Sequence, residues 1–480
     1  MKKIINIVSI LAVVLSFTSC EGDISSMNTD PKHPSVLPSG SLLAMGTNQE
    51  FYYMYSGNVF NNNYRFFTQQ WSEVTYVDEA NYNLVTNNQS RTHYNRMMVY
   101  TLNNFNQAMK NLEGEVNTPA VKNNKWATLE LASIFTWENL VDTFGDVPYT
   151  EALNAAGRGF APKYDDAKAI YTDLFKRIDN AIAKIDLTAN GYTTEDLVYK
   201  GNMGKWKKMA NSLKLRLAMN IADVDPAASK KYAEEAYASG VITSADNYQL
   251  TFDGTTFFNP LYDDVIASSR FDFIPSDRVV NMMNTKNDPR RAVWFLPVSG
   301  TTDKYVGGIY GSTSSPTLPS TTVSVFTGFH TSKTGPANLL SYTEVQFLLA
   351  EAAARGYSVG GTAATYYASA VTASMTENGI ASSAAAYLAA NPFDATNWQK
   401  SIGEEAYIGL FNRAFATWNF TRRLDYPKSL VNPPASKISG IPTRMPYSID
   451  EYTQNKNNVT AAASKIGGDE ATTKLFWDKN

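Results

Sequence analysis

The sequence predicts a mainly α-helical chain, built of tetratricopeptide-like helix pairs beside a large irregular, loop-rich part containing short strands. Three observations predict it. Apolar residues recur at spacings of three and four over several stretches, which gathers them on one helix face. Those stretches come in twos with short connections, the spacing of stacked helical hairpins. Two long segments interrupt them, one rich in Asn and Tyr, the other in Gly, Ser, Thr and Pro. Segments of that length inside a compact domain are functional or disordered, and their aromatic content argues against disorder.

In chain order, the first element is a leader. Lys2 and Lys3 precede an apolar run from Ile4 to Phe17, of secretion-signal length and short for a membrane span. The only cysteine, Cys20, follows at once, and Ser16-Phe17-Thr18-Ser19-Cys20 reads as a lipobox with Phe17 where Leu is usual. Residues 1–19 are therefore expected to be a lipoprotein signal peptide and Cys20 the lipidated first residue, anchoring the chain to a membrane. The plainer alternative is a cleaved signal with an incidental cysteine. Residues 20–40, with Pro31, Pro34 and Pro38, form an extended tether. Residues 41–480 are expected to be a single domain.

Within it the helical scaffold is placed at about 41–56, 94–244 and 336–420. Trp126, Leu129, Ser133, Trp137, Leu140, Val141 and Phe144 make one stripe, and Tyr171, Leu174, Phe175, Ile178, Ala181 and Ile182 the next. Trp206, Met209, Ala210, Leu213, Leu217 and Ile221 mark another helix, with Ala233, Ala236 and Tyr237 in its partner. Val345, Leu348, Leu349 and Ala352 follow a predicted capping box of Ser341 and Glu344. Tyr407, Leu410, Phe411, Ala414 and Trp418 complete the set as one helix. The irregular part is placed at about 57–93, 245–335 and 421–480, with strands predicted at 293–297, where Trp294 would be buried, and at 322–326.

Composition narrows the chemistry. The 480-residue chain carries a formal charge of −3 with its basic residues scattered, which argues against nucleic acid and against a polybasic membrane surface. No later segment offers about 18 consecutive apolar residues. With Cys20 acylated no thiol is left for a disulfide or zinc, and His33, His93 and His330 lie in unrelated contexts, so no metal and no cofactor are expected. Nucleophile-elbow, phosphate-loop and HExxH patterns are absent. Asp223, Asp225 and Glu234 imitate a calcium loop, but Gly is missing at its sixth position and Pro226 suits a helix start. A glycosidase would need two carboxylates about 5–10 Å apart across a cleft. Asp142 with Asp146, and Asp263 with Asp264, are the nearby pairs, and both are read as solvated faces. The chain has 28 Tyr, 24 Phe and 8 Trp. Aromatic faces beside amides suit sugars, because pyranose C–H faces stack on rings while hydroxyls bond to amides.

Several strings then converge. Asn28-Thr29-Asp30-Pro31 follows the acidic start Cys20-Glu21-Gly22-Asp23. Phe144-Gly145-Asp146-Val147-Pro148-Tyr149 is a Gly-Asp-x-Pro-Tyr turn, in which Gly145 ends a helix and Pro148 prevents its continuation. Trp206 with Ala210-Asn211-Ser212-Leu213-Lys214-Leu215-Arg216, Asp288-Pro289-Arg290, Tyr342-Thr343-Glu344-Val345, Arg423-Leu424-Asp425-Tyr426-Pro427 and Pro442-x-Arg444-x-Pro446-Tyr447 follow in order. With them the chain resembles the SusD/RagB family of nutrient-binding outer-membrane lipoproteins, closest to its SusD-like branch. The resemblance implies a binding protein rather than an enzyme. It also implies a lipid anchor facing the cell exterior and a partner, a SusC-like TonB-dependent barrel transporter that the protein caps like a lid. The matching strings are expected to be structural, with Arg216 and Arg423 in buried pairs with carboxylates.

Ligand contacts in such a family lie in variable loops, so the candidates rest on chemistry. They are Trp71, Tyr76, Asn81, Tyr82 and Asn83 in the first loop region, and Tyr305 and Tyr310, among Gly307, Gly308 and Gly311 on a flexible backbone, in the second. For Trp71 and Tyr76 the reading as core residues of a helix is favoured over ligand contact. The expected ligand is a glycan or oligosaccharide. The alternatives are a peptide-binding or purely protein-binding member of the same architecture, and a lipid-anchored helical glycoside hydrolase.

Overall fold

The computed structural model describes residues 36–154, 161–269, 272–312, 319–328 and 332–479. Contacts divide the chain after Pro38, and the body is Ser39–Asn480. The leader, Cys20, His33 and nearly all of the tether lie outside the described residues, as does His330.

The body is an array of helix pairs. Ser39–Tyr55 packs on a stretch that runs as a π-helix, Arg96–Leu102, into an α-helix, Asn103–Leu112. Pro119–Phe144 pairs with Ala167–Lys184, Met203–Asn220 with Pro226–Ser239, Tyr342–Ala354 with Ala363–Glu377, and Trp398–Gly409 with Ala414–Leu424. Their starts follow from local chemistry. Thr118, Asp166, Asn202, Asp225, Ser341 and Thr362 each accept a backbone N–H of the first turn, and Pro119 and Pro226 occupy first helical positions. Asp225 is thus a helix cap rather than a calcium ligand.

Buried charges tie the pairs together. Arg216 donates to Glu344 at 2.7 and 2.9 Å, to Glu138 at 3.0 Å and to the Leu339 carbonyl at 2.8 Å. Arg423 donates to both oxygens of Glu351 and to Asn220 Oδ1 at 2.7 Å. Asp142 accepts from Tyr171, Trp477, Asn220 and Asn419, four donors from four segments. The Gly-Asp-x-Pro-Tyr turn lies between the two helices of one pair, Pro119–Phe144 and Ala167–Lys184. Gly145 ends the long helix at φ 84°, Asp146 accepts the Ala167 N–H that opens the next, and the Tyr149 ring stands edge-on to Trp137. Arg444 donates to the Phe144 carbonyl and Tyr447 to that of Asp146, so the closing Pro442–Tyr447 string docks on this turn.

Four expectations are corrected. Tyr407 and Trp418 do not share a helix, because the chain breaks at Asn412, φ 65°, whose side-chain oxygen accepts from Arg65 and Trp71. Only half of the capping box forms, since Ser341 accepts the Glu344 N–H while the Glu344 carboxylate turns inward to Arg216. Trp294 ends a one-turn helix, Arg291–Trp294, and the strand begins after it. The tail is not wholly irregular, as Glu451–Gln454 and Lys456–Lys465 are helical.

Among the described residues the strands form three antiparallel two-stranded ribbons. β1 (Trp71–Glu73) pairs with β3 (Phe273–Pro275), β2 (Tyr248–Leu250) with β6 (Ala337–Leu340), and β4 (Phe295–Leu296) with β5 (Val325–Phe326). The two predicted strands are β4 and β5, and they are each other's partner.

Candidate functional site

The two loop regions chosen from the sequence meet on one face. The first leaves the short helix Tyr64–Phe67, passes through β1 and turns over residues 74–88. The second, residues 304–312, runs along the far side of β3. Gly308 N–H donates to Pro275 O at 2.9 Å, and its carbonyl accepts Asp277 N–H at 2.8 Å. Asn81 joins the two, its amide donating to Gly311 O at 3.0 Å and to Val77 O at 2.8 Å. Gln69 brings in a third segment. Its amide donates to Tyr82 Oη and to the Val431 carbonyl, and its oxygen accepts the Val431 N–H. Lys437 N–H then bonds to Asn81 O.

The candidate residues divide by side. Trp71, Asn81, Tyr82, Tyr305 and Tyr310 are buried. The Tyr82 and Tyr310 rings lie 6.1 Å apart, and Tyr310 Oη donates to Phe66 O at 2.6 Å. Trp71 donates its indole N–H to Asn412 and sits under the Arg65 guanidinium. These rings are therefore the base of the face, and their surfaces are spent on protein neighbours. Trp71 is core as the favoured reading held, but in a strand. Tyr76 is not core: at φ 54° in the turn after β1 it is 80% exposed. Asn83 is half-buried, bonded to Asp78 and Thr86.

Gly307 and Gly308 serve close approach rather than flexibility. A Cβ on Gly307 would lie 2.4 Å from Asp277 N and Ser276 C, and one on Gly308 2.2 Å from Ile274 Cδ1. The loop is clamped to the strand. Ile309 and Val85, 62% and 61% exposed, were not among the sequence candidates. With Tyr310 turned inward, its neighbour Ile309 points outward, and neither direction was readable from the sequence.

At the foot of the Tyr76 turn sit two carboxyl groups. Glu73 accepts the Ala80 N–H at 3.1 Å, while Glu79 accepts from Gln89 at 2.8 Å and Asn87 at 3.2 Å. Burial, then the Glu79 charge beside it, holds Glu73 well above the carboxylate range, and the two carboxyls lie within hydrogen-bonding reach. Groups that close leave no room for a sugar ring between them. The other acidic pairs are not solvated faces either. Asp142 and Asp146 are buried, and Asp264 accepts from Ser56, Gly57 and Asn58 while Asp263 accepts from Tyr52. His93 is buried between Tyr64, Asn139 and the Asn61 carbonyl. Among the described residues, no three His, Cys, Asp or Glu side chains are grouped to hold a metal ion, and no helix is long and apolar enough to cross a membrane.

Known proteins fit this frame. The family described as SusD-like, starch-binding and associating with the outer membrane, matches residues 31–448. The chain belongs to the SusD-like family. Among solved structures, a chitin-binding protein superposes with a TM-score of 0.81 at 28% identity, covering 92% of this chain and all of the other. A chitin-binding SusD homolog from Flavobacterium johnsoniae gives 0.79 at 25%, with 92% and 98% covered. A SusD-like protein from Bacteroides thetaiotaomicron gives 0.76 at 25%, with 92% and 99% covered. A search of curated proteins finds no match. The fold expected from the sequence is thus the SusD-like fold, in a family of carbohydrate-binding proteins associated with the outer membrane.

Proposed function

We propose that this protein is a non-catalytic surface lipoprotein that holds an oligosaccharide on the face formed by residues 74–88 and 304–312 and delivers it to a SusC-like TonB-dependent barrel. The observation that carries this reading is the outward Tyr76 ring on a base locked by Asn81 and Gln69. A ring held by a fixed turn offers its face to a pyranose without ordering the loop first. Exposed Ile309 and Val85 add apolar surface, and Asn83 and Thr86 supply polar groups at the rim. Trp71, Tyr82, Tyr305 and Tyr310 shape the floor from beneath. One stacking ring and a few hydroxyl contacts give micromolar or weaker binding, which suits release of cargo.

Two of the solved relatives are chitin-binding proteins, so β-linked N-acetylglucosamine oligomers are the first probe. Calorimetric titration with these and with starch, xylan and mannan oligomers is expected to give saturable binding to at least one. Binding to none of them, or hydrolysis of the one bound, would overturn the reading. Cys20 is the proposed acylation site, and metabolic labelling with palmitate is expected to mark the wild-type chain and spare Cys20→Ser. Copurification with a neighbouring barrel tests the partner.

A further inference from the structure

A second set of accessible rings lies outside the face that carries Tyr76. Phe257 is 56% exposed, and Tyr52, Phe258 and Tyr262 are half-buried. The Phe258 and Tyr262 rings stand 5.7 Å apart between centroids, tilted by 42°. The exposed Lys333 ammonium lies 5.7 Å from the first and 5.5 Å from the second. Tyr52 donates its hydroxyl to Asp263 at 3.2 Å. Tyr262, Asp263 and Asp264 open a π-helical stretch, Tyr262–Ala267, and such stretches are frequent at functional sites.

Polar side chains hold this set in place. Asp253 accepts the N–H groups of Thr255, Thr256 and Phe257 at 2.8, 2.8 and 2.9 Å, and Gly254, at φ 68°, donates to Phe257 O, so the turn that presents Phe257 is closed on itself. Asn259 is buried, and donates its amide to Gly335 O at 2.6 Å and its N–H to Lys333 O at 2.9 Å. That bond keeps the Lys333 segment beside Phe258 and Tyr262. A Cβ on Gly57 would lie 3.2 Å from Trp71 Cη2 and 3.5 Å from Leu261 Cδ2. The turn fastened by Asp264 therefore packs on both the strand that leads to Tyr76 and the segment that leads to Tyr262, which fixes the two sets of rings relative to each other. The surroundings select the ligand. Exposed Asp253, Thr255, Thr256, Ser268 and Ser269 bracket the rings, so the apolar surface is divided into ring faces and is not the continuous patch a protein partner needs. Lys333 can donate and Asp263 can accept, and a sugar hydroxyl does both while pyranose C–H faces stack on the rings.

We propose that Phe257, Phe258 and Tyr262, rimmed by Tyr52, Asp263 and Lys333, form a second saccharide-stacking site, so that one long glycan holds the protein at two stations. Two stations at fixed spacing raise affinity for a polymer above that for a short oligomer. The ligand class rests on the glycan reading above, while the site itself stands without the Tyr76 face. Native affinity electrophoresis of the intact protein through gels holding glycol chitin, starch, xylan or mannan tests it. At least one polymer is expected to retard the wild type. Phe257→Ala removes an exposed ring, and its apparent affinity for that polymer is expected to fall about fivefold with thermal unfolding unchanged. Phe257→Ala with Tyr262→Ala is expected to lose roughly tenfold or more, and adding Tyr76→Ala to abolish retardation. Wild-type retardation of Phe257→Ala overturns the second site, as does free passage of the wild type through every polymer. If Tyr76→Ala alone runs as wild type while Phe257→Ala is weakened, the proposed face fails and this site stands. If only Tyr76→Ala is weakened, this site falls and the face stands.

Discussion

In the paired helices, Arg216 spans three helices through Glu138 and Glu344, and Arg423 closes on Glu351 and Asn220, all of them buried. On the face that carries Tyr76, side-chain amides tie the segments together. Gln69 and Asn81 donate their amides to the Val431 and Gly311 carbonyls, in segments lacking regular structure, while Asn62 and Gln70 close the last-turn carbonyls of Tyr53 and Tyr407 at helix ends. The difference teaches how one chain combines a constant body with a surface free to vary. Helices satisfy their own backbone, so the side chains between them are free to pair as ions. Irregular loops leave backbone groups open, and side-chain amides close them. Because that closure is made from below, outward residues such as Tyr76, Val85 and Ile309 are released from structural duty.

The sharpest way to break this contrast is in the body. Arg423→Ala strands the Glu351 carboxylate in the interior and is expected to cost about 3–5 kcal/mol in chemical denaturation. A loss below about 1 kcal/mol would show that the pair does not organise the scaffold.

The next effect is pH-dependent. Glu50 is fully buried, accepts from Thr136 at 2.6 Å and Tyr248 at 2.7 Å, and is pushed up to about 7 by burial. Its folded form holds a proton that the unfolded chain has released. The stability it contributes is therefore complete below the ordinary value of 4.5 and is lost as pH rises through about 7. The shift corresponds to about 3 kcal/mol. Glu50→Gln is expected to flatten the fall in melting temperature between pH 5 and pH 8, and an unchanged slope would contradict the assignment.

On the loop side, Gly307→Ala drives a Cβ into the backbone of Ser276 and Asp277. It is expected to cost about 1–3 kcal/mol and to weaken oligosaccharide binding, since the 304–312 loop must lift from its strand. Smaller still, Tyr82→Phe removes the hydroxyl that accepts from Gln69 and is expected to cost about 1 kcal/mol by thermal unfolding.

The scaffold was legible in the sequence because helical periodicity and capping are local signals. The stripes beginning at Trp126, Tyr171 and Trp206, the Gly145 stop and the Asp225-Pro226 start all appear where spacing put them. Arg216 and Arg423 were expected in buried pairs, and they are. The break at Asn412 was not legible, since its cause is Trp71, 341 positions away. The face was half legible. Tyr and Asn density located the two loops and they meet, yet density cannot tell which ring turns inward. Tyr82 and Tyr310 turn inward because Gln69 and the Phe66 carbonyl wait for their hydroxyls. Tyr76, held at positive φ, turns out.

Tyr76→Ala measures the central claim most directly, with thermal unfolding and oligosaccharide titration on the same preparation. The melting free energy is expected to stay within about 0.5 kcal/mol of wild type. Affinity for the bound oligomer is expected to fall by about 1 kcal/mol, near fivefold, because the stacking face is gone. Loss of stability with binding intact would contradict the division between a locked base and a free outward ring.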